Sequence, residues 1–237
     1  MKREALIAYA LKYQGNYDRI LQAVKDHETA SAACTEDCLT ILDEDYPTAF
    51  LELKEPPFVL FYRGHKELLE EEKIGVVGSR NPCAYALEAT EALIKTNQRY
   101  VIVSGLAKGI DACAHLHSGK TIGILGCGID YIYPYCNKEL IMNVRKNGLI
   151  LSEYPGMTKP YASHFPFRNR LIAALSERLY IMQSSARSGT MTSVNEALEL
   201  GKDVRVLPYD IFMQEGRQNN LLIYEGATPI SYEEIAF

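Results

Sequence analysis

The sequence predicts an α/β fold: a mostly parallel sheet with helices on both faces, preceded by a small helical N-terminal region. Three observations carry this. Short apolar runs recur at residues 74–77, 100–103, 121–125, 149–151, 179–182 and 204–207. Stretches with helical spacing of apolar residues separate them. Small or hydroxylated residues close the runs, as in Gly78-Ser79-Arg80 and Ser104-Gly105. Apolar runs without polar alternation belong to strands covered on both faces, the condition of a parallel sheet. Right-handed crossovers then place the C-terminal ends of these strands on one edge, where such sheets bind ligands.

The elements follow in order. Residues 1–42 read as helical: Leu6, Ile7, Tyr9, Ala10 and Tyr13 share one face, and Ile20, Leu21 and Val24 resume after Gly15-Asn16, with Leu39, Ile41 and Leu42 behind them. Residues 43–72 read as a connector with an apolar run, 58–62, bounded by Pro56-Pro57 and Arg63-Gly64. The domain boundary falls near residue 72, so residues 73–237 form the main domain. Pro82 can open the helix after the first main strand. The helix after residues 100–103 spans 107–118, Asn137 can cap the next, and a helix from about residue 168 to 176 follows the Pro- and Gly-containing loop. The residues 189–200 form the helix between the last two apolar runs.

Composition removes several classes. The net charge of −5 argues against a non-specific basic coat for nucleic acid, although a ligand feels the local field. Six cysteines are scattered without a C-x-x-C pair, which points to reduced thiols and away from zinc. The polar residues Lys12, Gln14 and Asn16 interrupt the apolar N-terminus, and no run is long enough to span a bilayer. A cytoplasmic protein with no membrane partner is expected.

The chemistry lies on the ligand edge. Five strand ends carry Gly78-Ser79-Arg80, Ser104-Gly105, Gly126-Cys127-Gly128, Ser152-Glu153 and Ser184-Ser185-Ala186-Arg187-Ser188-Gly189. Small residues admit a ligand to the backbone, hydroxyls and N–H groups bind phosphate oxygens, and Arg supplies a bidentate partner. Between Arg145 and Arg187 stand seven basic residues against two acidic ones, with Phe165 and Phe167 among them. Cations interleaved with aromatics suit single-stranded nucleic acid. One of the two phenylalanines is expected to pack in the core. Arg168 and Arg170, read at a helix N-terminus, oppose the helix dipole, which points to an anionic ligand or a buried acidic partner.

Enzyme signatures fail on spacing. Ser118-Gly119-Lys120-Thr121 imitates a Walker A end but precedes a strand, and no G-x-S-x-G elbow occurs. His115 and His117 are two apart and read as helix-terminal residues, and Asp111 and Asp130 as turn or cap residues. Cys113 and Cys127 would need stabilised thiolates to act as nucleophiles. Nucleotide phosphoribohydrolases share this type of sheet, but Ser193 stands where their catalytic Glu should be.

Taken together, Tyr46-Pro47, Pro56-Pro57, Arg63-Gly64, Val76-Val77-Gly78-Ser79-Arg80, the run from Ser104-Gly105 through Lys108-Gly109-Ile110-Asp111 to His115, Tyr133-Pro134, Ser152-Glu153, Phe165-Pro166 with Arg168-Asn169-Arg170, Ser188-Gly189 and Gly226-Ala227 resemble the DNA-processing protein A family (DprA, also called Smf). The resemblance covers about residues 44–230. It implies an extended Rossmann-like domain without catalytic activity, cofactor or metal. It also implies binding of single-stranded DNA, a homodimer, and loading of RecA recombinase onto incoming DNA during natural transformation. Gly78, Ser79 and Arg80 would contact phosphate, with Phe165, Arg168, Asn169 and Arg170 lining the same pocket. Ser104, Gly105, Lys108, Ser188 and Gly189 complete the expected DNA-binding set. Lys108 replaces the family's usual Arg, Pro208-Tyr209 stands for Pro-Gly, and the C-terminal winged-helix-like domain of many members is expected to be absent. The alternatives are a phosphoribohydrolase-like enzyme and a nucleotide-sensing domain.

Overall fold

In the computed structural model, which describes residues 2–185 and 188–235, strand and helix alternate from Lys73 onward. The order is β3 (Lys73–Gly78), α3 (Ala84–Thr96), β4 (Val101–Ser104), α4 (Ile110–His117), β5 (Thr121–Ile124), α5 (Lys138–Asn147), β6 (Leu149–Ser152), α6 (His164–Leu175), β7 (Arg178–Gln183), α7 (Gly189–Glu199) and β8 (Asp203–Val206). Before them come α1 (Arg3–Lys12), α2 (Tyr17–Lys25), β1 (Cys38–Thr40) and β2 (Val59–Gly64). After them come α8 (Arg217–Tyr224), β9 (Thr228–Pro229) and α9 (Tyr232–Ile235).

The strands form one sheet in the order β1-β2-β6-β5-β4-β3-β7-β8-β9. All neighbours from β6 to β9 are parallel, while β1 and β2 pair antiparallel. The expected boundary at residue 72 therefore crosses a continuous sheet. Leu39, expected on a helix, sits in β1 opposite Leu60. Its β-pairing overrides a weak local signal, because a three-residue strand shows no period of its own.

Alternate residues of the central strands enter different cores. Val101, Val103, Ile122, Ile124, Leu179 and Ile181 face α6 and α7. Ile102, Tyr180 and Met182 face α3 and α4 on the other side. Both faces are dry, which explains the uninterrupted apolar runs. The N-terminal helices close the second face near β2 through Leu6, Tyr9 and Ile20. Asn16 starts α2 by accepting a hydrogen bond from the Arg19 N–H at 3.0 Å, a cap whose loss costs about 1 kcal/mol.

Several helix starts differ from expectation. α3 begins at Ala84, after Pro82. Asn137 does not cap α5; its amide donates to the carbonyls of Leu106 and Ala107, both at 3.0 Å. α6 begins at His164, one turn before Arg168. The two arginines thus stand inside the helix, and the dipole penalty expected of them does not arise.

The strand order reverses beside β3. The chain runs outward through β4, β5 and β6, then returns to lay β7 on the other side of β3. α3 and α7 leave these two adjacent strands toward opposite faces, which opens a crevice at their C-terminal ends.

Candidate nucleic-acid interface

The crevice has a volume of about 1080 Å³ and is built mainly from the turns after β3 and β7, the first half of α6, the N-terminus of α7 and the start of α8. Gly78, Ser79 and Arg80 stand on one wall, and Ser188 and Gly189 on another. Phe165, Arg168 and Asn169 contribute from α6. These eight expected residues are therefore brought together. Ala186 and Arg187, which the sequence also places at this edge, lie outside the described residues.

The exposed Arg80 guanidinium lies over the Phe165 ring, 5.6 Å from its centroid. Tyr133 flanks the same ring at 5.5 Å between centroids, tilted by 40°. The result is a cation and two π-faces at the crevice mouth. Phe167, two residues on, packs against Tyr17 and the Arg170 guanidinium. Both rings are half-buried, so neither enters the core as expected of one of them: Phe167 packs on Tyr17 and Arg170, and Phe165 on Gly126 and Tyr133.

The remaining expected residues are placed differently. Ser104 is 0% exposed and donates to the Val76 carbonyl at 2.6 Å, a cross-strand tie between β4 and β3. Gly105 is also buried, and a Cβ there would lie 2.5–2.7 Å from the Arg168 guanidinium. Arg168, 4% exposed, donates to the Gly105 carbonyl at 2.9 Å and to the Ile124 carbonyl. It braces α6 to the ends of β4 and β5. Burial pulls its guanidinium below the ordinary value, and Asp111 opposes that pull. Burial pushes the Asp111 carboxyl up, against the attraction of Arg168 and the Ala107 N–H. Lys108 is exposed on the loop before α4 and does not line the crevice.

Arg170 is 3% exposed and forms a bidentate pair with Glu153, at 2.6 and 2.7 Å. Two further donors reach the carbonyls of Glu55 and Phe167. The buried acidic partner, and not a ligand, explains this cation. The corner after β6 is spent in the same way, since the Ser152 hydroxyl donates to Cys127 O at 2.6 Å. The turn after β4, which the sequence marks as a phosphate corner, exposes Lys108 but is tied at its end to the turn after β3. Gly109 takes φ +77° where a Cβ would lie 2.3 Å from the Ser79 carbonyl, and that carbonyl accepts from the first N–H of α4, Ile110, at 3.1 Å.

Sequence reasoning passed over Gln183, Thr190, Arg217 and Gln218, which also line the crevice. Gln183 ends a strand whose signal is its apolar run, and Arg217 opens a helix about forty residues beyond the end of α6. Neither local pattern names a ligand. Of the acids read as turn or cap residues, Asp130 pairs with Arg63 at 3.0 Å, outside the crevice.

No nucleophile is activated among the buried cysteines. Burial pushes the Cys113 thiol up, and that of Cys127 up to about 11. Among the described residues no group of three or more His, Cys, Asp or Glu is placed to hold a metal, and no helix is long and apolar enough to cross a membrane.

The chain's similarities fit this arrangement. The sequence profile of the DNA recombination-mediator protein A family matches residues 37–236. The chain belongs to this family. DNA processing protein DprA of Bacillus subtilis is 40% identical over 205 residues, which cover 83% of this chain and 69% of that protein. The X-ray structure of DprA from Streptococcus pneumoniae superposes with a TM-score of 0.82 at 32% identity, covering 98% of this chain and 91% of that one. A Helicobacter pylori DprA structure, described for its single-stranded DNA binding mode, gives 0.77 at 35% identity over 84% of this chain and 94% of its own. The family match starts at the edge of β1, so the DprA/Smf region takes in all nine strands and the whole crevice.

Two predictions attach to the internal parts of the site. Gly105→Ala should destabilise the fold by about 1–3 kcal/mol, because the added methyl overpacks a buried, hydrogen-bonded guanidinium. The midpoint of urea unfolding measures it, and an unchanged midpoint would refute the brace.

The second concerns His115, which is buried and bonded through Nδ1 to Thr121 Oγ1 at 2.6 Å. The Thr121 hydroxyl proton goes to the Ile102 carbonyl, so the ring Nδ1–H is the donor and Nε2 stays bare. Burial, aided by Arg168, lowers the His115 value to about 3. Its unfolded counterpart binds a proton near pH 6.5. This contribution to stability is therefore complete above pH 6.5 and is lost progressively as the pH falls toward 3. His115→Gln should flatten that part of the stability profile relative to the parent; identical pH slopes for the two proteins would contradict the assignment.

Proposed function

We propose that this protein binds single-stranded DNA in the crevice at the ends of β3 and β7, without catalysing a reaction. The carrying observation is the Arg80–Phe165–Tyr133 cluster at its mouth. A duplex hides its base faces, whereas an unstacked strand offers them to aromatic rings and its phosphates to Arg80. Gly78 and Ser79 bring backbone to the strand, Asn169, Ser188 and Gly189 offer polar contacts, and Arg168 with its neighbour Asp111 forms part of the floor. The single-stranded DNA binding described for the Helicobacter relative supports the reading. Family membership supports its extension to transformation: a cytoplasmic homodimer that protects incoming strands and loads RecA onto them. RecA filament assembly on a strand coated by a single-strand-binding protein tests that step, which fails if this protein does not accelerate it.

The direct test is anisotropy of labelled oligo-dT across a salt series, with competing duplex and deoxynucleoside monophosphates. Each phosphate neutralised contributes about −0.7 to the slope of log affinity against log salt. Arg80→Ala should weaken binding and lessen the slope by about 0.7. Binding of monophosphates without binding of the oligomer would instead favour a small-nucleotide site.

A further inference from the structure

The wall of the crevice around α7 differs from its aromatic mouth. It presents the hydroxyls of Ser185, Ser188, Thr190 and Ser193, the side-chain amide of Gln183, and the N–H groups that open an eleven-residue helix. The Met191 N–H is taken by the Ser188 carbonyl at 3.1 Å, while those of Gly189 and Thr190 have no partner among the described residues. Free first-turn N–H groups attract anions.

Ser193 supplies an independent indication. It is 1% exposed, lines the crevice, and its Oγ has no hydrogen-bond partner among the described residues. A serine inside a helix ordinarily donates back to the carbonyl four residues earlier. Here that carbonyl belongs to Gly189, which already accepts from the Asn169 side-chain amide at 2.9 Å. With the helical N–H of Ser193 as its second donor, both lone pairs are occupied. The hydroxyl is thus withheld from its usual acceptor. A buried, unsatisfied hydroxyl is costly unless a ligand meets it.

Other donors are also open. Gln183 Oε1 accepts from the Cys83 N–H at 2.9 Å, and its NH₂ group is uncommitted among the described residues. Ser188 Oγ accepts from the Ser185 N–H at 3.4 Å, which leaves its proton available. A phosphodiester has two non-bridging oxygens and one charge. A terminal phosphate has three such oxygens and nearly two charges. The concentration of donors, together with a helix N-terminus, fits the second.

We propose that the N-terminus of α7, with Gln183, Ser188, Thr190 and Ser193, is a phosphomonoester subsite. It takes a terminal phosphate, carried either by a strand end or by a nucleoside monophosphate. In the strand form it rests on the single-stranded DNA reading above and adds recognition of an end.

The test compares dT oligomers of one length bearing a 5′-phosphate, a 3′-phosphate or hydroxyls at both ends, with fluorophores kept off the tested end. Thymidine monophosphate is titrated separately. One of the phosphorylated oligomers should bind about tenfold more tightly than the hydroxyl-ended one. In Ser193→Ala, and independently in Thr190→Val, that ratio should fall toward one in proteins whose melting temperature matches the parent. Monophosphate binding weakened by either substitution, with no end effect in the oligomers, would assign the subsite to free nucleotide. Oligomer binding that is indifferent to terminal phosphate, with no monophosphate binding, would overturn the subsite while leaving the DNA reading intact. Monophosphate binding dependent on Ser193 without any oligomer binding would do the reverse.

Discussion

Glu153→Ala is expected to destabilise the protein by about 3–5 kcal/mol, because it leaves the Arg170 charge buried and unpaired. The pair is nearly inaccessible on both sides and bidentate. Burial pulls the Arg170 guanidinium down, and the Glu153 carboxylate more than reverses this, so the charged form persists in the interior. The damage should spread beyond the pair. Arg170 lies 3.6 Å from the Phe167 ring centroid, Tyr17 packs on Phe167 and stacks on Phe58 at 5.1 Å, and the Glu55 carbonyl accepts from Arg170 Nε. One cation thus joins α6 to α2, to the segment before β2, and to the end of β6. A double variant, Glu153→Leu with Arg170→Met, should recover much of the loss, since well-packed apolar replacements remove both desolvation costs at once. Chemical unfolding of the two variants decides this. A mild effect of Glu153→Ala alone, comparable to a surface substitution, would contradict the argument.

Phe165→Ala should weaken oligo-dT binding by about 1–3 kcal/mol, roughly 5- to 150-fold. The ring is only partly buried, so its removal should leave the melting temperature close to that of the parent. It deletes the face on which a base can stack and the surface that holds Arg80 in place. Phe165→Tyr keeps both and should bind within a few-fold of the parent. The two effects separate by salt. Loss of stacking lowers affinity at every salt concentration, whereas loss of a phosphate contact also lessens the slope. If Phe165→Ala bound as the parent does, the strand would have to lie elsewhere on the edge.

How far the candidate site was legible depends on whether a residue's partner was local. Gly78-Ser79-Arg80, Phe165 and Ser188-Gly189 were visible because small residues, an Arg and an aromatic stand at strand ends or in a basic stretch, and the structure brings them into one crevice. Ser104, Gly105 and Arg170 carry equally suggestive chemistry, but their partners are Val76, Arg168 and Glu153, between 17 and 63 residues away. Nothing in the neighbouring sequence distinguishes an arginine that awaits a phosphate from one already paired with a glutamate.

The sequence by itself determined the alternation of strand and helix, the double-sided burial of the strands, and the edge on which polar small residues gather. These follow from hydrophobic period and turn chemistry, which act over a few residues. Only the tertiary structure decided which strand ends open outward. Crossing back from β6 to β7 makes the turns after β3 and β7 neighbours, while the turns after β4 and β6 are filled by Arg168 and Arg170 from α6. That choice rests on topology and on which buried charges find partners, and both are properties of the closed chain.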